Sequence, residues 1–247
     1  MLATLAPVLL FFVLTVGAMV LLARRRDHQH RLREESMRTA ALARGWSFDS
    51  KSDGLQSTKR WQGTTDGTRW TLEYRHSRKT KRARHAQTHR VVWWADTFGG
   101  PSSPVLFVGV SAGQENPFHT LSTSEGVLAS VARKAAGFAL DKALDVHFGE
   151  EAGRQVDARL LKPVEATGLP GFMVMAADVA QAVWMLGDGW SKSLGSLVSV
   201  ASGQGADRPW VLVLPRRVYL ARSAPIRAEE DVQAMVRDGL ALVTAGV

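Results

Sequence analysis

An uncharged stretch at residues 2–23 constrains this chain more than any other sequence feature. As a helix it spans roughly 33 Å, enough to cross a hydrocarbon core of about 30 Å. A cleaved signal peptide carries its positive charge before the apolar run, whereas here Arg24, Arg25 and Arg26 follow it. The sequence therefore predicts a retained transmembrane anchor at residues 1–23, flanked by these three arginines. By the positive-inside rule the N-terminus lies outside and the rest in the cytoplasm, as in a single-pass inner-membrane protein.

The rest of the chain is predicted to form a basic stalk and a folded domain. Residues 24–45 have a helical pattern that ends at Gly45, a good residue for closing a helix, and are expected to form a juxtamembrane stalk. Residues 46–247 have the composition of a globular domain of substantial size, and they form the predicted cytoplasmic domain. A break near residues 147–157 would divide this domain into two subdomains.

The pattern of the folded part predicts an α+β domain with antiparallel sheet. Asp66-Gly67 lies between alternating segments and indicates a hairpin. Ser122 and Glu125 form a capping box that opens a helix to about residue 146. Strands are predicted at 61–63, 68–75, 88–98, 105–111, 158–161, 172–176, 196–201, 210–214 and 218–221, with a helix capped by Asp178 and a last helix from Pro225. Strands in runs, each closed by a helix, predict one or more antiparallel sheets, each covered by a helix.

Composition excludes some chemistry and concentrates positive charge in one region. The chain has no cysteine, which excludes disulfides, thiolate metal sites and cysteine nucleophiles. Residues 24–44 hold seven basic and three acidic side chains, and residues 46–104 hold eleven and five. Residues 105–247 hold thirteen and fifteen, so the whole positive excess precedes residue 105. This gradient predicts an anionic partner for the first half of the chain.

Two short segments resemble uncharacterised bacterial membrane-anchored protein families. The first is the Ala-Leu-Ala-Arg-Gly-Trp-Ser-Phe segment at residues 41–48. The second is a hairpin that carries Trp61, Gly63, Gly67 and Trp70. The resemblance covers the outline of most of the chain and implies the anchored topology, but it implies no activity, cofactor or binding residue.

A strongly basic run between two predicted strands is the main candidate binding surface. Its residues are Arg75, Arg78, Lys79, Lys81, Arg82, Arg84 and Arg90. Clusters of this kind bind anionic lipid headgroups when they lie near a membrane face. An acidic protein partner and a loop that only contacts water are the alternatives. Nucleic acid is a further alternative, with Trp70, Tyr74, Trp93 and Trp94 as stacking partners, and it is the less favoured one because these aromatic residues alternate like core positions.

The enzymatic hypotheses rest on weaker patterns. Residues 109–113 match the G-x-S-x-G nucleophile elbow, which would make Ser111 the nucleophile of a serine hydrolase. The helix that should follow and the oxyanion loop are missing from the pattern. His76, His85 and His89 lie in a strongly basic segment that repels cations, so no metal site is predicted. The sequence thus predicts a non-enzymatic binding or scaffolding protein without cofactor, and leaves its oligomeric state open.

Overall fold

The computed structural model describes residues 2–54, 56–78, 87–97, 99–110, 127–165, 169, 171–201 and 208–245, with the side chains of some positions inside helices and strands left aside. The chain divides into two compact units, Met1–Phe48 and Asp49–Val247. The helices are α1 (Leu2–Ala43), α2 (Val127–Phe148), α3 (Glu150–Gly153), α4 (Val179–Met185), α5 (Asp188–Ala201) and α6 (Glu229–Ala245). The strands are β1 (Ser47–Ser52), β2 (Gln56–Thr65), β3 (Thr68–Arg78), β4 (Gln87–Asp96), β5 (Val105–Gly109), β6 (Lys162–Val164), β7 (Phe172–Ala176), β8 (Trp210–Leu214) and β9 (Arg217–Arg222).

The predicted transmembrane anchor at residues 1–23 is wrong. In the part of the chain that the structure describes, no helix is both long enough and apolar enough to cross a membrane. The helix α1 runs without a break through 42 residues, so Arg24, Arg25 and Arg26 lie inside it instead of following it. The single-pass topology, the inner-membrane localisation and the membrane-flanking role of these arginines fall with the anchor.

The first unit ends its helix in the predicted way. Gly45 adopts φ 71°, a left-handed conformation that glycine reaches without steric cost. Its N–H donates to the carbonyl of Leu42 at 2.9 Å, and the N–H of Trp46 donates to the carbonyl of Ala41 at 2.9 Å. These bonds satisfy carbonyl groups that a helix end leaves without partners, so the helix stops here.

In the described part of the chain, nine strands form one sheet in the order β1-β2-β3-β4-β9-β8-β5-β7-β6, and the strand pairs from β2 onward are antiparallel. The α+β class and the antiparallel pairing therefore agree with the prediction, which left the number of sheets open. The two halves of the chain join where β4 pairs with β9, with Asp96 opposite Arg217. This pairing links residues far apart in sequence, so no local sequence pattern predicts it.

Several local predictions are confirmed, and two are wrong. The turn between β2 and β3 has Asp66 at φ 49° and Gly67 at φ 78°, as a two-residue hairpin turn requires. The carboxylate of Asp178 accepts a bond from the N–H of Gln181 and caps α4. However, residues 158–161 form a turn and 196–201 lie in α5 instead of strands. The capping box at Ser122 and Glu125 lies outside the described residues.

Different helices pack on the two faces of the sheet. Alternate residues of β4 point to opposite sides, so Val92 packs with α2 while Trp93 lies under α6. On the first side the core includes Leu140, Leu144 and Phe148 of α2. On the second side the indole of Trp93 is fully buried and lies directly against the backbone of Gly239. Helices therefore lie on both sides of the sheet, and the main contacts of α2 with strands are to β4 and β9.

Gly239 allows a test of this packing. A Cβ atom at this position would collide with the buried ring of Trp93, which cannot move aside. We expect Gly239→Ala to lower the free energy of unfolding by about 1–3 kcal/mol. The matched control is Gly195→Ala in α5, where a Cβ would meet nothing within 4 Å. That substitution should raise stability by about 0.5–1 kcal/mol, since alanine favours helix. Urea denaturation measures both, and two changes of the same sign would contradict the packing described.

Candidate functional site

A buried carboxylate lies among arginines on the face of β2, β3 and β4 that α6 does not cover. Leu72 and Tyr74 of β3 point into the core on the α6 side, so Glu73 between them points to the other face. The side chain of Glu73 is only 6% exposed. Its Oε2 atom lies 2.7 Å from Nη2 of Arg60, and its Oε1 atom lies 2.5 Å from Nε of Arg75. A buried carboxylate is very unfavourable without oppositely charged partners, and these two arginines provide them.

Strand register brings these side chains together. Arg60 on β2 lies directly opposite Glu73 on β3. Arg75 follows Glu73 by two positions and therefore shares its face, and Arg90 on β4 lies directly opposite Arg75. Nη2 of Arg90 is 3.7 Å from Oε1 of Glu73. We call these four residues, Arg60, Glu73, Arg75 and Arg90, the arginine cluster.

The arginines keep Glu73 ionised. Burial raises the pKa of Glu73, but hydrogen bonds from Arg60 and Arg75 and their positive charges lower it by more. The pKa of this carboxyl therefore lies below its ordinary value. Each guanidinium has five N–H donors, and Glu73 occupies only some of them. Arg60 and Arg75 are about half exposed, so their remaining donors face solvent.

Arg90 has a different role from its two neighbours. Its Nη1 atom donates to the carbonyl of Asp145 at 3.2 Å and approaches that of Val146 at 3.5 Å, in the last turn of α2. A cation there satisfies terminal carbonyl groups and complements the negative end of the helix dipole. Arg90 is only 19% exposed. It therefore fastens α2 to the sheet, while Arg60 and Arg75 remain open to a ligand.

The arginine cluster lines an open cleft of about 970 Å³. Its cationic side chains are Arg60, Arg75, Arg90, Lys142, Arg154 and Arg217, and its acidic ones are Glu73, Asp145, Glu150 and Glu151. Val92, Trp94, Phe148 and Tyr219 also line it. Arg154 is paired with Glu150 at 2.9 Å, and Arg217 with Asp96 at 2.8 Å. Arg60 and Arg75 share one buried anion, so the cationic excess of the cleft is concentrated at them.

The structure describes only part of the predicted basic surface. Arg75 and Arg90 lie in the arginine cluster, and Arg78 is the last residue of β3, opposite Gln87. The antiparallel pairing of β3 and β4 agrees with the predicted hairpin across this run. Lys79, Lys81, Arg82 and Arg84 lie outside the described residues.

Arg60 and Glu73 were not predicted from the sequence. The hairpin turn at Asp66-Gly67 offers a signal for them, because pairing residues at equal distances before and after the turn places Arg60 opposite Glu73. An acidic side chain between Leu72 and Tyr74 of a strand, with an arginine across from it, predicts a cross-strand pair.

The serine hydrolase alternative is not tested at its nucleophile, because Ser111 lies outside the described residues. The strand before it, β5, pairs antiparallel with both β7 and β8. A Cβ atom on Gly109 would lie 2.8 Å from the carbonyl oxygen of Pro209, so close packing accounts for the first glycine of the motif.

The histidines of the predicted hairpin lie on the side of α6. The rings of His76 and His89 stack with centroids 4.9 Å apart, and the hydroxyl of Tyr74 lies 2.9 Å from Nδ1 of His89. His85 is outside the described residues. Over the residues that are described, no group of three or more histidine, aspartate or glutamate side chains could hold a metal ion.

Comparison with known proteins gives one distant structural likeness. No protein-family model matches the chain. No curated protein matches it either. The chain is similar to the crystal structure of the mycobacterial trehalose monomycolate transport factor A, with 8% identity and a TM-score of 0.47, over 85% of this chain and 91% of that chain. Similarity at this level does not establish a shared fold, and it carries no information on function. The resemblance to uncharacterised bacterial families stays a prediction.

Glu73→Gln tests the arginine cluster. We expect the free energy of unfolding at pH 7 to fall by about 2–3 kcal/mol, because three arginines lose a buried anionic partner. The wild-type carboxylate contributes this stability above its unfolded pKa of about 4.3, and the contribution is lost as pH falls through the lower folded pKa. Urea denaturation at neutral and acid pH should therefore show the two proteins converging in acid. Glu150→Gln, at an exposed ion pair, should change little at either pH. A constant difference between Glu73→Gln and wild type would contradict the cluster.

His147 adds a second pH dependence at a higher range. Its ring stacks on Trp210 with centroids 4.1 Å apart. Burial, together with the charge of Arg90, lowers the pKa of His147 to about 4. Protonation therefore favours the unfolded chain, and stability should fall by up to about 3 kcal/mol as pH drops from about 6.5 to 4. His147→Phe, which keeps a ring but cannot be protonated, should lack this loss in denaturation curves across the same range. An unchanged pH profile would show that His147 does not cause it.

Proposed function

We propose that this chain is a binding domain that does not catalyse a reaction, and that it binds the phosphate groups of anionic lipid headgroups. The observation that carries the proposal is the arrangement of Arg60 and Arg75. Both are held by the buried carboxylate of Glu73 while about half of each side chain stays exposed.

This arrangement suits phosphate for a physical reason. A guanidinium forms two parallel hydrogen bonds to a phosphate or carboxylate, and arginine is the residue that provides this geometry. Free arginine side chains lose rotational freedom on binding, which weakens affinity. Here Glu73 has already fixed two of them in the folded protein. A ligand that binds there loses less free energy to the ordering of side chains.

The proposed binding surface also includes the basic run that follows β3 in the sequence. Arg78, Lys79, Lys81, Arg82 and Arg84 follow Arg75 closely in sequence. Arg78 ends β3 three residues beyond Arg75, a distance of about 10 Å along a strand. Basic residues near an anionic membrane surface contribute about 1 kcal/mol each. A surface with many phosphates can therefore contact both the cluster and the run, whereas a single small anion can contact only the cluster.

Two features favour lipid headgroups over the alternatives. Of the four candidates for the stacking of nucleic-acid bases, Trp70, Tyr74 and Trp93 are buried in the core, and Trp94 alone lines the cleft, where it is partly buried. Among the described residues that line the cleft, there is no serine, threonine, cysteine or histidine, so the nucleophile and base of a serine or cysteine hydrolase are missing from it. These features support a headgroup-binding role over a nucleic-acid or hydrolytic one.

Vesicle flotation of the full chain tests this function. We expect binding to vesicles that contain phosphatidylglycerol and none to neutral phosphatidylcholine vesicles, with the binding weakened by salt. Serine at Arg78, Lys79, Lys81, Arg82 and Arg84 should weaken binding by more than about tenfold, because several favourable charge contacts are lost together. Arg60→Gln with Glu73→Gln and Arg75→Gln removes the cluster without leaving a buried carboxylate unpaired. This triple variant should also reduce binding.

The control is Arg159→Gln with Arg237→Gln, two exposed arginines outside the cleft. This pair should leave flotation close to wild type. Equal effects of the control and the test variants would reduce the proposal to a general effect of net charge. Binding of single-stranded DNA without any vesicle binding would favour the nucleic-acid alternative. Failure of every wild-type sample to float would reject the proposal.

A further inference from the structure

A second cavity, of about 250 Å³, opens on the side of the sheet that α5 and α6 cover. Its walls include Trp184, Trp190, Val213, Val218, Leu242 and Val243. No charged side chain lines it in the part of the chain that the structure describes. We call it the apolar pocket. Its composition differs sharply from the cleft around Glu73, so it suits a different part of a ligand.

The apolar pocket has a rigid floor and an exposed rim. The indole of Trp190 is buried and stacks on Phe107, with ring centroids 6.0 Å apart and an interplanar angle of 10°. At the rim, Trp184 of α4 is 79% exposed, and Val183 beside it is 54% exposed. Large apolar side chains in solvent, grouped next to an apolar cavity, are typical of a binding site.

A polar cleft of about 1000 Å³ adjoins the apolar pocket, and Thr97 and Gly99 line both. The hydroxyl of Thr97 is buried and has no hydrogen-bond partner among the described residues. Arg216 lines the polar cleft in the turn between β8 and β9, and its carbonyl accepts a bond from the N–H of Thr97 at 2.9 Å. Arg216 is exposed and forms no ion pair with any described residue. Asp96, Glu151 and Arg217 also line the polar cleft, and Arg217 pairs with the two carboxylates at 2.8 Å and 3.6 Å. Arg216 is therefore the cation of this cleft that has no ion-pair partner among the described residues, and it lies beside an uncharged cavity.

We propose that these two cavities bind one anionic amphiphile with a single alkyl chain. The chain occupies the apolar pocket, and the carboxylate or phosphate head lies at Arg216. A cavity of about 150 Å³ holds benzene, so the apolar pocket has room for roughly ten carbon atoms. The head must be anionic because Arg216 is the cation at the opening that lacks a partner. This site goes beyond the proposed function: no residue of the arginine cluster lines either cavity, and the polar cleft shares only Glu151, Gln155 and Arg217 with the cleft that the cluster lines.

Calorimetric titration of the full chain with monomeric decanoate tests the proposal. Wild type should bind decanoate more tightly than decyl glucoside, which has a neutral head, and more tightly than decyltrimethylammonium. Val243→Phe fills the pocket and should weaken decanoate by at least about tenfold, since each methylene kept out of an apolar site costs several-fold in affinity. Thr244→Phe is the matched control, because it adds the same ring to α6 at an exposed position outside the pocket.

Two more variants separate tail from head. Val243→Ala enlarges the pocket and should shift the preferred ligand from decanoate to dodecanoate. Arg216→Glu should remove the preference for decanoate over decyl glucoside, whereas Arg69→Glu, an equal change of charge at an exposed site elsewhere, should keep it.

Four results would overturn the proposal. The first is that wild type does not bind decanoate, and the second is that Val243→Phe and Thr244→Phe bind decanoate with equal affinity. The third is that Arg216→Glu still prefers decanoate over decyl glucoside, and the fourth is that the protein binds vesicles but not monomeric decanoate. None of them bears on the arginine cluster, whose variants are tested by flotation.

Discussion

The buried carboxylate of Glu73 is the interaction on which the polar half of the molecule depends. A carboxylate that is 6% exposed would be very unfavourable without partners, and three strands supply them. Arg90 then carries the connection beyond the sheet, because the same guanidinium that approaches Glu73 also binds the last carbonyl groups of α2. One anion therefore fixes the mutual positions of β2, β3, β4 and a helix. The cleft has a defined shape because this network defines its walls.

The arginine cluster lies in the part of the fold where the basic side chains of the chain are concentrated. Residues 46–104 carry an excess of basic side chains, and they include strands β1 to β4 at one end of the sheet. There, Arg60 and Arg75 remain about half exposed. At the other end of the sheet, β5, β7 and β8 are buried on both faces and carry almost no charge. The molecule thus separates an apolar half, which provides its core, from a polar half, which provides its cationic surface.

Sequence predicted the local structure well wherever a single short-range interaction decides it. The turn at Asp66-Gly67 and the cap at Asp178 are such cases, since backbone conformation and one hydrogen bond suffice. Residues 196–201 were predicted as a strand, but the spacing of Trp190, Leu194 and Leu197 buries one face of a helix. The anchor was predicted from the uncharged run and the arginines after it, but no helix in the described part of the chain is long and apolar enough to span a membrane. Of the site, Arg75 and Arg90 were predicted as surface residues, while the bond from Arg90 to Asp145 spans 55 positions and has no local signal.

The pairing of β4 with β9 has a consequence for how the chain acquires its structure. Asp96 and Arg217 are 121 positions apart, and their strands lie in the middle of the sheet. During synthesis, β1 to β4 cannot pair with β9 until most of the chain has left the ribosome. Contacts between such distant segments also make folding slow, because a long loop must close before they form. The edge of β4 is therefore the surface that a chaperone would have to protect in the nascent protein.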